Sequence, residues 1–198
     1  MKTAGAVNTD IILLGGGHAH VHVLAAFAMR PMPGVRLTLV TRDLNTPYSG
    51  MLPGIIAGLY EPAEAHIDLV RLSAATGARL VHAEATGLDR LNKRVLLKNR
   101  PALAYDLVSI DVGITPDLRM IAGAAAHAMA VKPIGLFLSK FNALLESICA
   151  TNDTRRIAVI GGGAGGVELL LSVRTRILAE AAKLGSGPRP ASTTAEVI

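Results

Sequence analysis

Apolar and polar positions along the first 40 residues predict a strand, a turn, a helix and a second strand. Residues 10–14 form a short apolar run that leads into three glycines, and residues 21–30 are rich in alanine and predict a helix. The prolines and glycine of residues 31–34 separate this helix from a β-rich segment at 35–40. This order predicts a right-handed βαβ unit with parallel strands.

The next 70 residues have a weaker pattern. Residues 43–56 contain two prolines and two glycines without periodicity, and they predict a loop of the kind that lies over a ligand. A helix is expected at 67–75, and short segments at 79–85 and 94–98 predict an antiparallel meander. Residues 105–110 predict another buried strand.

The strand, turn and helix pattern then starts again. A helix predicted at 133–149 leads through a polar break at 151–154 to the apolar run 156–160 and a second group of glycines. The two starts resemble each other as an internal repeat. We therefore predict a first domain at 1–115, a connecting segment at 116–155 and an incomplete second unit at 156–198, with a loop at 185–188.

Composition supports an α/β protein and excludes some functions. Hydrophobic residues make up 51% of the 198 residues but aromatic ones only 3%, as in helix-covered parallel sheets. The net charge of +5 comes from scattered Lys and Arg, which argues against a nucleic-acid partner. The single Cys149 excludes an intramolecular disulfide. Without a signal peptide or a long apolar stretch, a cytoplasmic location is expected, and peripheral contact with the inner face of the membrane stays open.

The second group of glycines has the spacing of a dinucleotide-binding turn. Gly161, Gly163 and Gly166 fit GxGxxG: the first permits the turn, the second lets a pyrophosphate approach, and the third packs helix against strand. The phosphates would lie at the helix N-terminus. The alternative is a tight turn without a ligand. Glu168 is predicted in the first turn of the following helix, either as a helix-start acid or as a site residue.

The first group of glycines departs from that pattern in two places. Gly15 and Gly17 match, but His20 stands where the third glycine belongs, so helix and strand must pack differently there. Thr41 occupies the place of the acid that binds a ribose hydroxyl, and Thr41, Arg42 or Asp43 would have to take over its role if a ribose binds.

Three histidines open the predicted first helix. His18 and His22 share a helix face, which invites a metal site. No Cys or Glu with ligand spacing accompanies them, so we expect no metal and place His18 beside the pyrophosphate.

Five separated segments resemble the pyridine nucleotide-disulfide oxidoreductase superfamily, especially type II NADH dehydrogenases and the flavoprotein fused to selenophosphate synthase. They are residues 12–20, 46–54, 83–89, 105–113 and 161–168. Residues 12–20 look like the FAD pyrophosphate turn, 46–54 like the segment beside the flavin ring, and 161–168 like the NAD(P)H turn. Asp111-Val112-Gly113 replaces the more common Ala-Thr-Gly.

The resemblance implies an FAD/NAD(P)-binding Rossmann-like α/β fold, with β/β/α layers and the start of a second Rossmann unit. It also implies residue roles. The FAD phosphates would contact Gly15, Gly17, His18 and Ala19, its ribose region Arg42 and Asp43, its adenine Ala85, and its ring Pro47 and Met51. NAD(P)H would contact Gly161, Gly163 and Gly166, with Glu168 as the catalytic residue where nicotinamide meets flavin.

The activity that the resemblance implies is FAD-dependent NAD(P)H oxidation, with hydride passing to flavin and then to a small acceptor such as a quinone. Members that reduce disulfides or oxidise sulfide use paired cysteines, so those activities are not expected. Two alternatives remain: a truncated nucleotide-binding module without turnover, and an enzyme that uses only one glycine turn for one nucleotide. Oligomerisation is left open.

Overall fold

The computed structural model describes residues 6–115, 117–150, 156–183 and 194–197. The chain divides into two compact units: Met1–Thr46 with His66–Gly113, and Pro47–Ala65 with Ile114–Ile198. The predicted polar break at 151–154 and loop at 185–188 lie outside the described residues. The domain division expected from the sequence stays a prediction.

The described residues form strands, helices and short 3-10 turns. The strands are β1 Thr9–Leu14, β2 Val35–Thr41, β3 Asn45–Pro47, β4 His66–Asp68, β5 Arg79–His82, β6 Ala85–Asp89, β7 Arg94–Leu97, β8 Arg100–Ala104, β9 Leu107–Ile110, β10 Arg156–Val159 and β11 Thr194–Val197. The helices are α1 His18–Met29, α2 Leu52–Ala57, α3 Leu69–Thr76, α4 Ala124–His127, α5 Ile134–Cys149 and α6 Ala164–Lys183. Short 3-10 turns lie at Ser49–Met51, Pro62–Ala65 and Leu118–Met120.

The first unit is built on a parallel sheet with the strand order β5-β2-β1-β9. Leu14 pairs with Val40 of β2 on one side and with Ile110 of β9 on the other. The carboxyl ends of these strands therefore share one edge of the sheet. The strand order reverses at β1, and in open α/β sheets ligands bind in the crevice at such a reversal.

Alternating side chains of β1 point into two different cores. Leu13 packs with Leu24 of α1 and Leu69 of α3, on the helical face of the sheet. Ile12 and Leu14 pack on the opposite face against the meander formed by β6, β7 and β8. Because side chains of a strand alternate between faces, this apolar run is buried on both sides. The predicted Rossmann-like α/β fold with β/β/α layers is confirmed.

Two predicted elements need correction. Arg79–His82 is a strand of the parallel sheet, paired with β2, and the antiparallel meander begins only at Ala85. Residues 43–56 are not a plain loop, since they contain the short strand β3 and all but the last residue of the helix α2. Pro53 is compatible with this helix because it stands in its first turn, where no backbone donor is needed.

The second unit has a core of helices. Leu52 and Ile56 of α2 are buried together with residues of α5 and α6, which include Phe137, Phe141 and Leu169. In the same unit β10 pairs in parallel with β11. The segment that the sequence places beside a flavin thus packs on the helix that follows the second glycine turn. Among the described helices, none is both long and apolar enough to cross a bilayer.

Candidate functional site

The first glycine turn connects β1 to α1 at the carboxyl edge of the parallel sheet. The Gly15 amide donates to the Val40 carbonyl at 2.8 Å, and Gly15 has a φ of +98°, in the region that favours glycine. A Cβ on Gly15 would overlap the backbone of Asp111. The turn therefore needs glycine at this position for both its conformation and its contacts.

His20 stands at the position of the third glycine. Its buried ring makes two hydrogen bonds there, so the packing is different, as the sequence suggested, and not looser. Its side chain is buried, with 1% of its surface exposed. Its Nδ1 lies 2.7 Å from the Gly15 carbonyl oxygen, and its Nε2 lies 2.9 Å from the Ser109 hydroxyl. Because a carbonyl oxygen can only accept, Nδ1 carries the proton. The imidazole thus joins the glycine turn to β9.

Asp111 follows β9 and contacts the amino end of α1. Its carboxylate oxygen Oδ2 accepts a hydrogen bond from the Ala19 amide at 2.9 Å, and its backbone carbonyl accepts one from the Gly17 amide at 3.2 Å. A Cβ on Gly17 would overlap the Asp111 carboxylate. The space that Gly17 leaves free therefore already holds an anion of this chain.

Asp111 and Ser109 were missed as site residues by sequence reasoning. The only sequence signal was the replacement of Ala-Thr-Gly by Asp111-Val112-Gly113. Both residues are brought to the turn by the pairing of β9 with β1, about which the sequence gives no register.

The end of β2 presents the residues expected near a ribose. Thr41 is buried beside the first turn, and its hydroxyl donates to the Asp43 backbone carbonyl at 2.9 Å. Arg42 and Asp43 form an exposed ion pair at 3.2 Å, and His82 contacts the Arg42 carbonyl at 2.9 Å. Since an exposed pair of this kind is held weakly, both side chains can reorient toward a ligand.

Ala85 belongs to the same unit as the first turn. It is the first residue of β6, pairs with Leu97 and packs against the core that contains Ile12 and Leu14. The Ala83 amide donates to the Thr41 carbonyl at 3.0 Å, so the chain before β6 is attached to the end of β2.

His18 and His22 face each other on α1, with ring centroids 5.8 Å apart. Within the described residues, His, Cys, Asp and Glu side chains form no group of three or more that could hold a metal ion. His18 is half-buried next to Gly17 at the start of the helix, and Ala19 is exposed.

Pro47 and Met51 lie in the second unit. Pro47 ends β3, and Met51 ends the 3-10 turn that runs into α2; both are half-buried. The Tyr48 amide donates to the Ala65 carbonyl at 2.7 Å and the Met51 amide to the Tyr48 carbonyl at 3.0 Å. These bonds give the segment a defined backbone next to the buried Leu52.

The second glycine turn connects β10 to α6. Gly161 has a φ of +116°, and a Cβ on Gly166 would overlap the Gly161 carbonyl oxygen. Gly166 thus has the role that the motif gives its third glycine, which is close packing of helix on strand. No described atom lies within 4 Å of where a Cβ of Gly163 would be, so the middle of this turn is open among the described residues.

Glu168 is the fifth residue of α6, which places it after the first helical turn instead of inside it. It is exposed, and its backbone carbonyl accepts from the Ser172 hydroxyl at 2.8 Å. The expected stabilisation by the helix dipole is therefore weaker, because that effect falls off within the first turn.

Two glycine turns at the ends of parallel strands, within α/β layers, define the protein as FAD/NAD(P)-binding Rossmann-like in fold. The chain is similar to the NADH dehydrogenase-like protein YutJ of Bacillus subtilis, with 27% identity over 171 residues, which cover 83% of this chain and 44% of that protein. The chain thus spans less than half the length of the curated relative that it matches. No protein-family model matches it.

Two solved structures have a fold similar to that of this chain. NDH2 from Plasmodium falciparum in complex with NADH aligns with a TM-score of 0.73 at 20% identity, over 94% of this chain and 41% of that one. NADH:rubredoxin oxidoreductase from Clostridium acetobutylicum aligns with a TM-score of 0.63 at 20% identity, over 96% and 44%. These likenesses concern the fold. Together with the sequence relative, they confirm the predicted resemblance to pyridine nucleotide-disulfide oxidoreductases of the NADH dehydrogenase type.

Proposed function

We propose that this chain supplies the FAD-binding part and the start of the NAD(P)H-binding part of an FAD-dependent NAD(P)H oxidoreductase. The observation that carries the proposal is the pair of strand, glycine turn and helix units, of which the second packs Gly166 directly on the Gly161 carbonyl. The name of the sequence relative, an NADH dehydrogenase-like protein, supports the same activity.

The second turn fits a pyrophosphate. Gly163 and Gly165 leave open space among the described residues at the start of the 20-residue helix α6. The helix start offers backbone donors and a favourable dipole to an anion. Gly161, Gly163 and Gly166 would hold the NAD(P)H phosphates there.

The first turn also fits an anion, because one of its backbone donors already bonds a carboxylate. The Ala19 amide is directed at a carboxylate, and Gly15, Gly17 and His18 complete the start of α1. These four residues would contact the FAD phosphates, Arg42 and Asp43 the ribose region, and Ala85 the adenine. Pro47 and Met51 would contact the flavin ring.

The bound cofactors would supply the hydride transfer from nicotinamide to flavin and onward to a small acceptor such as a quinone. The chain's own residues bind and orient the two rings. Glu168 would lie where the rings meet and position the nicotinamide. A cytoplasmic protein with peripheral contact at the inner face of the membrane is consistent with a quinone acceptor, and self-association would not alter this scheme.

The test is anaerobic addition of NADH to purified protein that has been reconstituted with FAD. We expect a yellow protein whose flavin absorbance is bleached. Gly163→Ala should slow bleaching strongly while flavin stays bound and the melting temperature is unchanged, because the added Cβ meets no described atom within 4 Å but lies where the pyrophosphate would approach. Gly135→Ala, a glycine in α5 that also faces open space, is the matched control and should bleach normally. Protein that takes up no FAD would refute the proposal.

A nucleotide-binding module without turnover is the second candidate. The observation that favours it is the hydrogen bond of the Asp111 carboxylate to the Ala19 amide of the first turn, which opposes tight FAD binding. Flavin that binds but is not bleached by NADH would support the module. Glu168→Gln tests the role of Glu168 in the enzyme. If Glu168 positions the nicotinamide, bleaching should be about tenfold slower in this variant at unchanged FAD affinity.

A further inference from the structure

One carboxylate occupies the anion site of the first glycine turn. Asp111 Oδ2 lies 2.9 Å from the Ala19 amide, in the space that Gly17 keeps clear of a side chain. The Gly17 amide is also engaged, by the Asp111 backbone carbonyl at 3.2 Å. Two donors that a dinucleotide-binding turn offers to a pyrophosphate are thus already used by one residue.

A carboxylate and a pyrophosphate cannot share this position. Both are acceptors that require the Ala19 amide hydrogen, and both carry negative charge, which is repulsive at such short range. The helix dipole favours a single anion at the start of α1 and does not distinguish which anion it is. Binding of a dinucleotide phosphate at Ala19 therefore requires the Asp111 side chain to turn away.

The turn has the means to keep its shape when Asp111 leaves. His20 holds the Gly15 carbonyl, and Ser109 holds His20 from β9. The Gly15 amide is bonded independently to Val40. Ser109 lies in β9 and Asp111 directly after it. The contact of Ser109 with His20 would remain when the contact of the Asp111 side chain with Ala19 is lost.

We propose that the Asp111 carboxylate is a built-in competitor for the anion site of the first glycine turn, and that its displacement sets the affinity for the pyrophosphate of FAD. The inference rests on the proposed function in one respect, the identity of the ligand. It makes the first turn a weaker and more readily exchanged dinucleotide site than the same turn without Asp111.

The experiment compares Asp111→Asn with Asp106→Asn in the full chain. Asparagine keeps the size of the side chain and removes its charge. Asp106 is the matched control, since it precedes β9 at the other end of the strand, where its carboxylate accepts from the Asp10 amide at 2.8 Å. Both variants raise the net charge equally, and only one changes the anion site. The dissociation constant of FAD is measured by fluorescence quenching.

A second readout does not depend on FAD. In ¹⁵N-labelled protein without ligand, the Ala19 amide resonance should move in Asp111→Asn and stay in place in Asp106→Asn, because only Asp111 is bonded to that amide. Its response to inorganic pyrophosphate then reports directly on competition at the turn, and the response should appear at lower concentration in Asp111→Asn.

We expect Asp111→Asn to bind FAD about tenfold more tightly than both wild type and Asp106→Asn, as removal of a close like charge predicts. Equal affinity of the two variants, or weaker binding by Asp111→Asn, would overturn the inference and leave the proposed function intact. Absence of FAD binding in wild type and both variants would refute the proposed function. In that case, the inference would also be overturned if the Ala19 amide resonance responded to the same concentration of inorganic pyrophosphate in Asp111→Asn and Asp106→Asn.

Discussion

The two glycine turns both connect a parallel strand to a helix. They differ in what contacts the carbonyl of their first glycine and in what lies beside their second glycine. In the second turn, Gly166 packs directly on the Gly161 carbonyl, and the space at Gly163 is open among the described residues. In the first turn, the His20 ring takes the place of that direct contact, and the Asp111 carboxylate lies at Gly17. A turn of this kind can therefore be closed by the third glycine of GxGxxG or by a buried side chain that hydrogen-bonds the carbonyl of the first glycine.

The largest expected effect is at Gly166. Gly166→Ala should destabilise the protein by about 3 kcal/mol, because the new Cβ overlaps a backbone carbonyl that cannot move without shifting helix from strand. Gly165→Ala is the control one residue earlier, at a position with open space, and it should be neutral or stabilising by up to about 1 kcal/mol. Urea unfolding followed by circular dichroism measures both. Equal stability of the two variants would mean that the second turn is not closed by direct packing.

The second effect tests the histidine closure. His20→Gly restores the GxGxxG spacing, yet it should destabilise the protein by about 2 kcal/mol, because it leaves a cavity and removes the partner of the part-buried Gly15 carbonyl and Ser109 hydroxyl. His22→Gly, at an exposed position of the same helix, should lose only the helix-propensity cost of about 1 kcal/mol. If both variants lose the same amount, the His20 bonds contribute nothing to the turn.

A smaller effect is expected at the partner of His20. Ser109→Ala removes the hydroxyl that lies 2.9 Å from Nε2 and should cost about 1–2 kcal/mol, as expected when a buried polar atom loses its partner. Ser139→Ala removes an exposed, local hydrogen bond in α5 and should change stability by less than about 0.5 kcal/mol. In the double variant with His20→Gly, the cost of Ser109→Ala should largely vanish.

The smallest effect concerns Asp111. Asp111→Ala removes an acceptor at the start of α1 and should lower the free energy of unfolding by about 1 kcal/mol in the absence of ligand. Asp111→Asn should lose less, since its amide oxygen can still accept from Ala19. Asp111→Asn, which should strengthen FAD binding, thus weakens the free protein. A gain of stability in Asp111→Ala would show that the carboxylate is strained at the turn.

Local order was predictable from the sequence, and long-range pairing was not. The apolar runs before the two glycine groups predicted β1 and β10 correctly. The run that ends at Leu14 is buried on both faces, as in a central parallel strand, whereas the residues of β10 alternate between exposed and half-buried. Arg79–His82 was assigned to the meander because a short β-rich segment gives no sign of whether its partner is parallel or antiparallel. Helix α2 was missed because its sequence contains Pro and Gly, and it depends on packing of Leu52 and Ile56.

The same limit applies to the candidate site. The glycine positions and the irregular His20 were visible in the sequence, because the motif fixes their spacing. Ser109 is separated from His20 by 89 residues and Asp111 from Ala19 by 92, so their contacts depend on the order β2-β1-β9 in the sheet. No periodicity in the sequence reports that order. The only indication was that Asp111-Val112-Gly113 replaces Ala-Thr-Gly at the carboxyl end of β9.

The His20 closure has a consequence for the variation expected among homologues. Three positions on two distant segments, 20, 109 and 111, act on one turn, and two of them contact each other directly. A lineage that regains glycine at position 20 no longer needs a hydroxyl at 109, whereas one that keeps histidine should keep a hydrogen-bonding residue there. Substitutions at 20 and 109 should therefore occur together in an alignment, while position 111 varies independently with the strength of dinucleotide binding.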